Sequence, residues 1–348
     1  MKTRVCRLYG QNDIRIETDT VAEPGKGQVL VRVGAGGICG SDLHYFHDGG
    51  FGPIRVREPI ILGHEVAGTI EVLGEGVSDL AVGDRVALNP SRPCGQCAYC
   101  REGLFNHCLS MRFYGSAMRF PHEQGGFRDL IVADAFQCEK VGPGTSIAEA
   151  ACAEPLAVCL HAANQAGELA GKRVLVTGAG PIGSLCVAVA RHRGAEQVVV
   201  TDLHDATLDV AWAMGATETV NVMMHAEKLE PYAADKGKFD VTFECSAAAP
   251  AMRTALATTR PRGTIVQVGV TGDMAIPLNM LVGKELVLRG THRFHEEYAE
   301  AVRLIDSGAI DVKPIITGTY PLERALDAFR KAGDRTQAVK VQISFAEE

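Results

Sequence analysis

The sequence predicts an α/β protein of two domains, a mostly β domain and a doubly wound parallel sheet. Three observations predict it. At 348 residues the chain is longer than one core ordinarily serves. Its first 150 or so positions are glycine-rich, with short β-type runs between turn signals. Beyond residue 153 or so, short apolar runs alternate with helical stretches.

In the first part, Val29–Val33 and Gly68–Leu73 read as strands. Turns at Glu23-Pro24-Gly25, Gly74-Glu75-Gly76 and Val82-Gly83-Asp84 separate them. In the second part, Val174-Leu175-Val176 suits a buried parallel strand. A helix follows from Pro181 to His192, because proline fits a first helical position whose N–H would be unpaired anyway. Gln197–Thr201 is the next strand and ends at Asp202. The alternation continues with a helix at 206–214, a strand at 239–243, a helix at 250–258 and strands at 264–268 and 286–288. The tail carries helices at 296–307 and 322–332 and a strand at 338–343. It is expected to return to the first domain, which gives 1–153 plus 292–348 around an inserted 154–291.

Hydrophobic residues make up 46% and charged residues 22%, a balance that excludes a disordered chain. A net charge of −7 without a Lys/Arg block gives a phosphate backbone nothing to grip, so no nucleic-acid partner is expected. Met1–Arg7 lacks a signal-peptide stretch. The longest uncharged run, 174–190, is interrupted by Gly178, Gly180, Pro181 and Gly183, which reads as strand–turn–helix rather than a membrane span. A cytoplasmic protein with no membrane partner is expected. Eleven cysteines, an odd number, argue against a disulfide scaffold.

Gly178-Ala179-Gly180-Pro181-Ile182-Gly183 is a G-x-G-x-x-G. Alone it is a weak signal. Here it follows a strand, opens a helix and precedes Asp202 at the next strand end, the full context of a dinucleotide site. The helix N-terminus offers unpaired N–H groups to a pyrophosphate. Asp202 can accept from ribose hydroxyls and repels a 2′-phosphate, and positions 203–209 contain no Arg or Lys, so NAD is expected over NADP.

Cys94, Cys97, Cys100 and Cys108 follow a C-x2-C-x2-C-x7-C spacing. Four thiolates in one loop fill a tetrahedral zinc site with no open position, which makes it structural. An iron–sulfur run would close C-x3-C-P, and here the gap is seven with Leu109 next. Three further segments carry metal-ligand types: Cys39-Gly40-Ser41-Asp42-Leu43-His44, His64-Glu65 and Glu154. Each has a bland alternative as well: a buried cysteine, a solvated histidine, a helix-start glutamate.

Gly37-Ile38-Cys39-Gly40-Ser41-Asp42-x-His44, Gly63-His64-Glu65-Val66-Ala67-Gly68, the four-cysteine loop and Gly178–Gly183 together resemble the zinc-containing medium-chain alcohol and polyol dehydrogenases over essentially the whole chain. The resemblance implies a GroES-like, mostly β catalytic domain joined to a Rossmann cofactor domain. It implies one catalytic zinc, with Cys39 and His64 as ligands and two carboxylates at hand, Glu65 binding directly and Glu154 acting directly or through water, with the choice of direct ligand open between them. It implies Ser41 and His44 as a proton relay beside an open zinc position that acidifies a substrate hydroxyl. It also implies a homo-oligomer, dimer or tetramer, with 286–289 as an edge strand for pairing.

Stretches outside these motifs, among them Asn89–Gly95, Met111–Met118, Phe120-Pro121-His122, Gln165–Leu169 and Ala332–Ala338, resemble the L-idonate 5-dehydrogenases. This implies a sugar-acid substrate, oxidised at a secondary alcohol. Its carboxylate needs a cation, for which Arg112, Arg119 and Arg293 are the candidates, with His122 as a further donor. Arg293-Phe294 also resembles the Arg-aromatic pair of sorbitol dehydrogenases. The rival readings are a sorbitol, xylitol or L-iditol dehydrogenase, and a non-catalytic NAD-binding protein.

Overall fold

The computed structural model describes residues 1–270 and 272–345, so the last three positions of the expected segment 292–348 lie outside the described residues. Two sheets organise the chain. The larger is built on Gln28–Gly37, which pairs with Glu65–Leu73, Leu130–Asp134 and Lys340–Ser344, all antiparallel. Arg85–Leu88 and Cys138–Val141 extend it on one side, and Ile316–Pro321 adds in parallel to Lys340–Ser344 on the other. The C-terminal strands thus complete the N-terminal sheet, with Gln342 opposite Gly37 and Ser344 opposite Ala35.

Glycine permits this close pairing. A Cβ at Gly68 would lie 2.1 Å from the Arg32 carbonyl oxygen, and one at Gly37 would meet the Glu65 carboxylate at 2.0 Å. The N-terminal hairpin, Lys2–Gly10 with Asp13–Thr20, lies outside that sheet. Its second strand reads DIRIETDT and buries no residue, although Ile14, Ile16, Thr18 and Thr20 alternate with charged residues along it.

The second sheet has six parallel strands in spatial order 218–221, 197–202, 173–177, 239–244, 259–267, 287–290. Numbered along the chain this is 3-2-1-4-5-6, and the order reverses between Arg173–Thr177 and Phe239–Glu244. The helix after the first strand is Pro181–His192, with Pro181 at its first turn as the sequence predicts. Glu218–Asn221 and the helix Ala153–Ala166 are among the additions to that reading. The helix hides in the sequence because nine of its residues are buried, leaving no polar face to set a 3.6-residue period.

Ala153–Ala166 joins the two parts. It packs against Pro181–His192 and Glu297–Asp306, and one core cluster runs from Ala35, Ala67 and Ala87 through Leu156, Ala157 and Leu160 to Val174 and Val176. A second core, with Val31, Val66, Val86, Phe127 and Phe329, fills the mostly β part. Among the described residues no helix is long and apolar enough to cross a membrane.

Candidate active site

Cys39, His64 and Glu65 arrive from two adjoining strands and a helix start. Cys39 caps the helix Gly40–Asp48 after the strand Gln28–Gly37, and His64 and Glu65 open the neighbouring strand. Their ligand atoms all lie within 4.8 Å of one another. A thiolate, an imidazole and a carboxylate at that spacing form a donor set that suits zinc. Asp42, fully buried, organises two of them. Its Oδ2 accepts from the Cys39 N–H at 2.9 Å, and its Oδ1 stands 3.6 Å from His64 Nδ1. A buried carboxylate behind a ligand histidine orients the ring and raises its basicity.

Glu65 has a partner that no local pattern announced. Lys340 Nζ lies 2.7 Å and 2.6 Å from its two carboxylate oxygens and 3.2 Å from the Ile38 carbonyl. Both side chains are about 2% exposed. Burial opposes the lysine's charge, but Glu65 and Cys39 outweigh it and hold the ammonium above its ordinary range. The two residues are far apart in sequence, so only the return of the C-terminal strand brings them together.

Glu154, in the first turn of Ala153–Ala166, is buried in the same region. Burial pushes its carboxyl up to about 7, Glu65 adds to this, and His64, Lys340 and Arg293 pull the other way. Arg293 has its guanidinium carbon 4.1 Å from the Phe113 ring centre. It sits at φ +55°, a left-handed conformation uncommon for any residue but glycine. Phe113 in turn lies 5.5 Å from the His64 ring, so one aromatic side chain separates imidazole and guanidinium. Ser41 and His44 share the helix Gly40–Asp48 three residues apart, hence on one face. His44 Nδ1 is 2.9 Å from Asp48 Oδ2, and its ring is half exposed.

Arg112 and Arg119, expected as candidate cations for a substrate carboxylate, both have partners within the chain. Arg112 pairs with Glu123 at 2.8 Å on the surface. Arg119 donates to the carbonyls of Met111 and Leu109 at 2.7 and 2.6 Å, which ties down the end of the four-cysteine loop. His122 is likewise used up, its Nδ1 against the Arg119 carbonyl at 2.6 Å and its Nε2 accepting from the Arg57 N–H at 2.9 Å.

The sulfurs of Cys94, Cys97, Cys100 and Cys108 fall within 4.8 Å of one another, a closed set of four soft donors. Backbone N–H groups of Cys100 and Leu109 hold the Cys97 thiol down to about 6, and Cys108 Sγ accepts from the N–H groups of Cys94 and Ser110 at 3.1 and 3.3 Å. The loop leans on the segment that carries Arg293. Asn106 donates to the His292 carbonyl at 3.0 Å, and Phe105 stacks on His295 with ring centres 4.1 Å apart.

The dinucleotide turn lies at the reversal point of the parallel sheet. Gly178 has φ +88°, and a Cβ at Gly183 would stand 1.7 Å from the Gly178 carbonyl oxygen, so both positions need glycine. Gly180 caps the helix, followed by Pro181, Ile182 and Gly183. Asp202 Oδ2 accepts from the Ala179 N–H at 2.6 Å, and its Oδ1 accepts from the N–H groups of Leu203 and His204 at 2.7 and 3.1 Å. It therefore fixes the turn to the neighbouring strand end. A residue without any role in the sequence reading also reaches the place. Arg335 Nη1 is 4.0 Å from the Cβ position of Gly180 and its Nη2 is 3.9 Å from that of Gly40, so the guanidinium stands between the two helix N-termini.

The comparisons with known proteins agree with this geometry. The alcohol dehydrogenase GroES-like domain matches residues 25–143 and the zinc-binding dehydrogenase domain residues 181–307. The chain is 43% identical over 346 residues to an L-idonate 5-dehydrogenase (NAD(P)(+)) of Escherichia coli K12, covering 99% of each. It is 37% identical over 328 residues to the sorbitol dehydrogenase of Pongo abelii, covering 92% of this chain and 90% of that one. The crystal structure of an Escherichia coli L-idonate 5-dehydrogenase superposes with a TM-score of 0.95 at 42% identity over 99% of both chains. With its donor sets, its parallel sheet and these relatives along its whole length, the chain belongs to the zinc-binding alcohol dehydrogenase family.

Proposed function

We propose that the chain oxidises L-idonate to 5-keto-D-gluconate, passing hydride from a secondary alcohol to NAD. The single observation that carries this reading is 43% identity to an L-idonate 5-dehydrogenase over 99% of both chains, with the donor residues of the site in place. Cys39, His64 and Glu65 would hold the catalytic zinc, since their ligand atoms already converge, with Glu154 as a further carboxylate acting directly or through water. Cys94, Cys97, Cys100 and Cys108 would hold the structural zinc. When bound, the catalytic ion supplies Lewis acidity toward the substrate hydroxyl.

The chain's own residues do the rest. Ser41 takes the hydroxyl proton, and His44, half exposed and oriented by Asp48, hands it to water. Arg293 supplies the buried cation for the substrate's hydroxyls and carboxylate. Gly178, Gly180, Pro181, Ile182 and Gly183 receive the pyrophosphate, and Arg335 adds a charge to it from the other helix start. Asp202 accepts from the adenosine ribose and favours NAD over NADP.

The test is the rate of NAD reduction by zinc-loaded protein with L-idonate, D-gluconate, D-sorbitol, xylitol and L-iditol, and NADP as the alternative oxidant. Preference for L-idonate is expected. Preference for a neutral polyol overturns the sugar-acid assignment in favour of the second reading, a sorbitol-type dehydrogenase, which the 37% identity to a sorbitol dehydrogenase supports. We further propose that the protein works in the cytoplasm, a place that suits eleven cysteines without a disulfide among the described residues. Finally, we propose a homo-oligomer that pairs through the edge strand Val287–Gly290, all four residues of which are exposed.

A further inference from the structure

Three thiols lie outside both metal groups and beneath the dinucleotide turn. Cys159 belongs to the helix Ala153–Ala166, Cys186 to Pro181–His192, and Cys245 directly follows the strand Phe239–Glu244. Cys159 and Cys186 are sealed from solvent, whereas Cys245 is partly exposed. The Cys245 and Cys186 sulfurs are 3.9 Å apart. Cys159 approaches Cys186 from the other side, with its own sulfur 3.3 Å from the Ile182 carbonyl. The three form a row and not a metal cage, since among the described residues only the two donor groups above bring three or more such atoms within 4.8 Å of one another. A row of this kind, open at one end, suits oxidation.

We propose that Cys245 and Cys186 form a reversible disulfide on exposure to hydrogen peroxide, and that this weakens cofactor binding. Of the three residues only Cys245 is partly exposed, which makes it the end of the row nearest to an oxidant. Peroxide transfers one oxygen to it and leaves as water, giving a sulfenic acid. The Cys186 sulfur then attacks the Cys245 sulfur, and the sulfenic oxygen leaves with the remaining proton as a second water. Two thiols lose two electrons and two protons, and one peroxide becomes two waters. Hydrogen bonds from Cys159 and Cys245 lower the Cys186 thiol, while the same Cys186 contact and burial raise that of Cys245, so within the pair it is the Cys186 sulfur, 3.9 Å away, that serves as the nucleophile of the second step.

The consequence for the cofactor follows from what the two sulfurs are tied to. A bonded pair sits at about 2.05 Å, so the sulfurs must close by nearly half their present separation. The movement falls on the turn after Cys245 or on the helix that carries Cys186, and both frame the dinucleotide turn. The Cys245 N–H donates to the Thr177 carbonyl at 2.9 Å. Ser246 and Ala247 donate their N–H groups to Glu244, and the Ser246 backbone is 3.0 Å from the Cβ position of Gly178. Ala247 is already in the left-handed region at φ +59°, so the turn has little slack.

The experiment uses full-length, zinc-loaded protein treated with hydrogen peroxide, quenched with catalase, alkylated and digested with trypsin. Cys186, Cys245 and Cys159 fall on three separate peptides, 174–191, 239–253 and 141–172. The expected result is a 174–191/239–253 cross-link, a KM for NAD raised at least threefold at unchanged zinc content, and reversal of both by dithiothreitol. Cys245→Ser is expected to keep basal activity and to hold its KM under the same peroxide. Absence of that cross-link, or linkage of either peptide to 141–172 instead, overturns the pair. An unchanged KM in fully cross-linked protein overturns the link to the cofactor.

Discussion

At the scale of the residue, Lys340 and Glu65 illustrate what a buried charge demands. Each is nearly sealed from water, and each is the other's principal compensation. Lys340→Met leaves Glu65 unpaired and should cost the metal-free protein about 3–5 kcal/mol in urea denaturation. Lys340→Met with Glu65→Gln should recover much of that loss, and a strictly additive double mutant would refute the pairing. Ser41 makes the complementary case for function without structural weight. Ser41→Ala should lower kcat by about 10²–10⁴-fold with little change in KM, and full turnover would sink the proton relay. Cys39, His64, Glu65 and Glu154 were singled out in the sequence by the resemblance of the motifs that carry them, since taken one by one a cysteine, a histidine or a glutamate has a bland alternative. Lys340, Asp42 and Arg335 were not singled out, since a lysine, an aspartate or an arginine acquires meaning only from its neighbours in space.

At the scale of the element, the joining helix Ala153–Ala166 packs on Glu297–Asp306 through shared apolar core and is tied to it by one carboxylate. Glu297 accepts from His161 and Asn164 at 2.8 Å each and from the His295 N–H at 2.9 Å. Burial would raise its pKa, yet these hydrogen bonds prevail and hold it down to about 2. A carboxylate depressed in the folded state stabilises above its ordinary pKa of about 4.5 and loses that contribution as pH falls toward 2. Glu297→Gln should therefore destabilise at neutral pH by on the order of 3 kcal/mol and flatten the acid limb between pH 4.5 and 2. Equal slopes in wild type and variant would remove this carboxylate from the account. The dinucleotide turn gives the second prediction at this scale. Gly183→Ala places a carbon 1.7 Å from a main-chain oxygen, so the helix must back away from the strand end. KM for NAD should rise about tenfold or more, a loss of roughly 1.4 kcal/mol in cofactor binding, and an unchanged KM would contradict the close-packing argument.

At the scale of the whole molecule, the parallel sheet ends in the exposed strand Val287–Gly290, with Val287 and Leu288 each 39% exposed and Val282 on the preceding helix 72% exposed. An unpaired edge with apolar neighbours is a template for a second copy. Light scattering should report a multiple of the 37.1 kDa chain mass, and Leu288→Asp should shift it toward the monomer. A monomeric wild type would end the proposal. The sequence by itself determined the α/β class, the strand–turn–helix of the cofactor site, the four-cysteine loop and the donor types, because each rests on contacts or spacings within a few tens of residues. The tertiary structure alone decided which charges are paired and which face the site. Lys340 meets Glu65, Phe113 carries Arg293 beside His64, and Arg112 and Arg119 are spent on Glu123 and on main-chain carbonyls. The physical reason is that electrostatics and desolvation act through space over a few ångströms; Arg112 and Glu123 find each other through a local fold of the chain, whereas Lys340 and Glu65 come within reach only after the C-terminal strand returns to the first sheet.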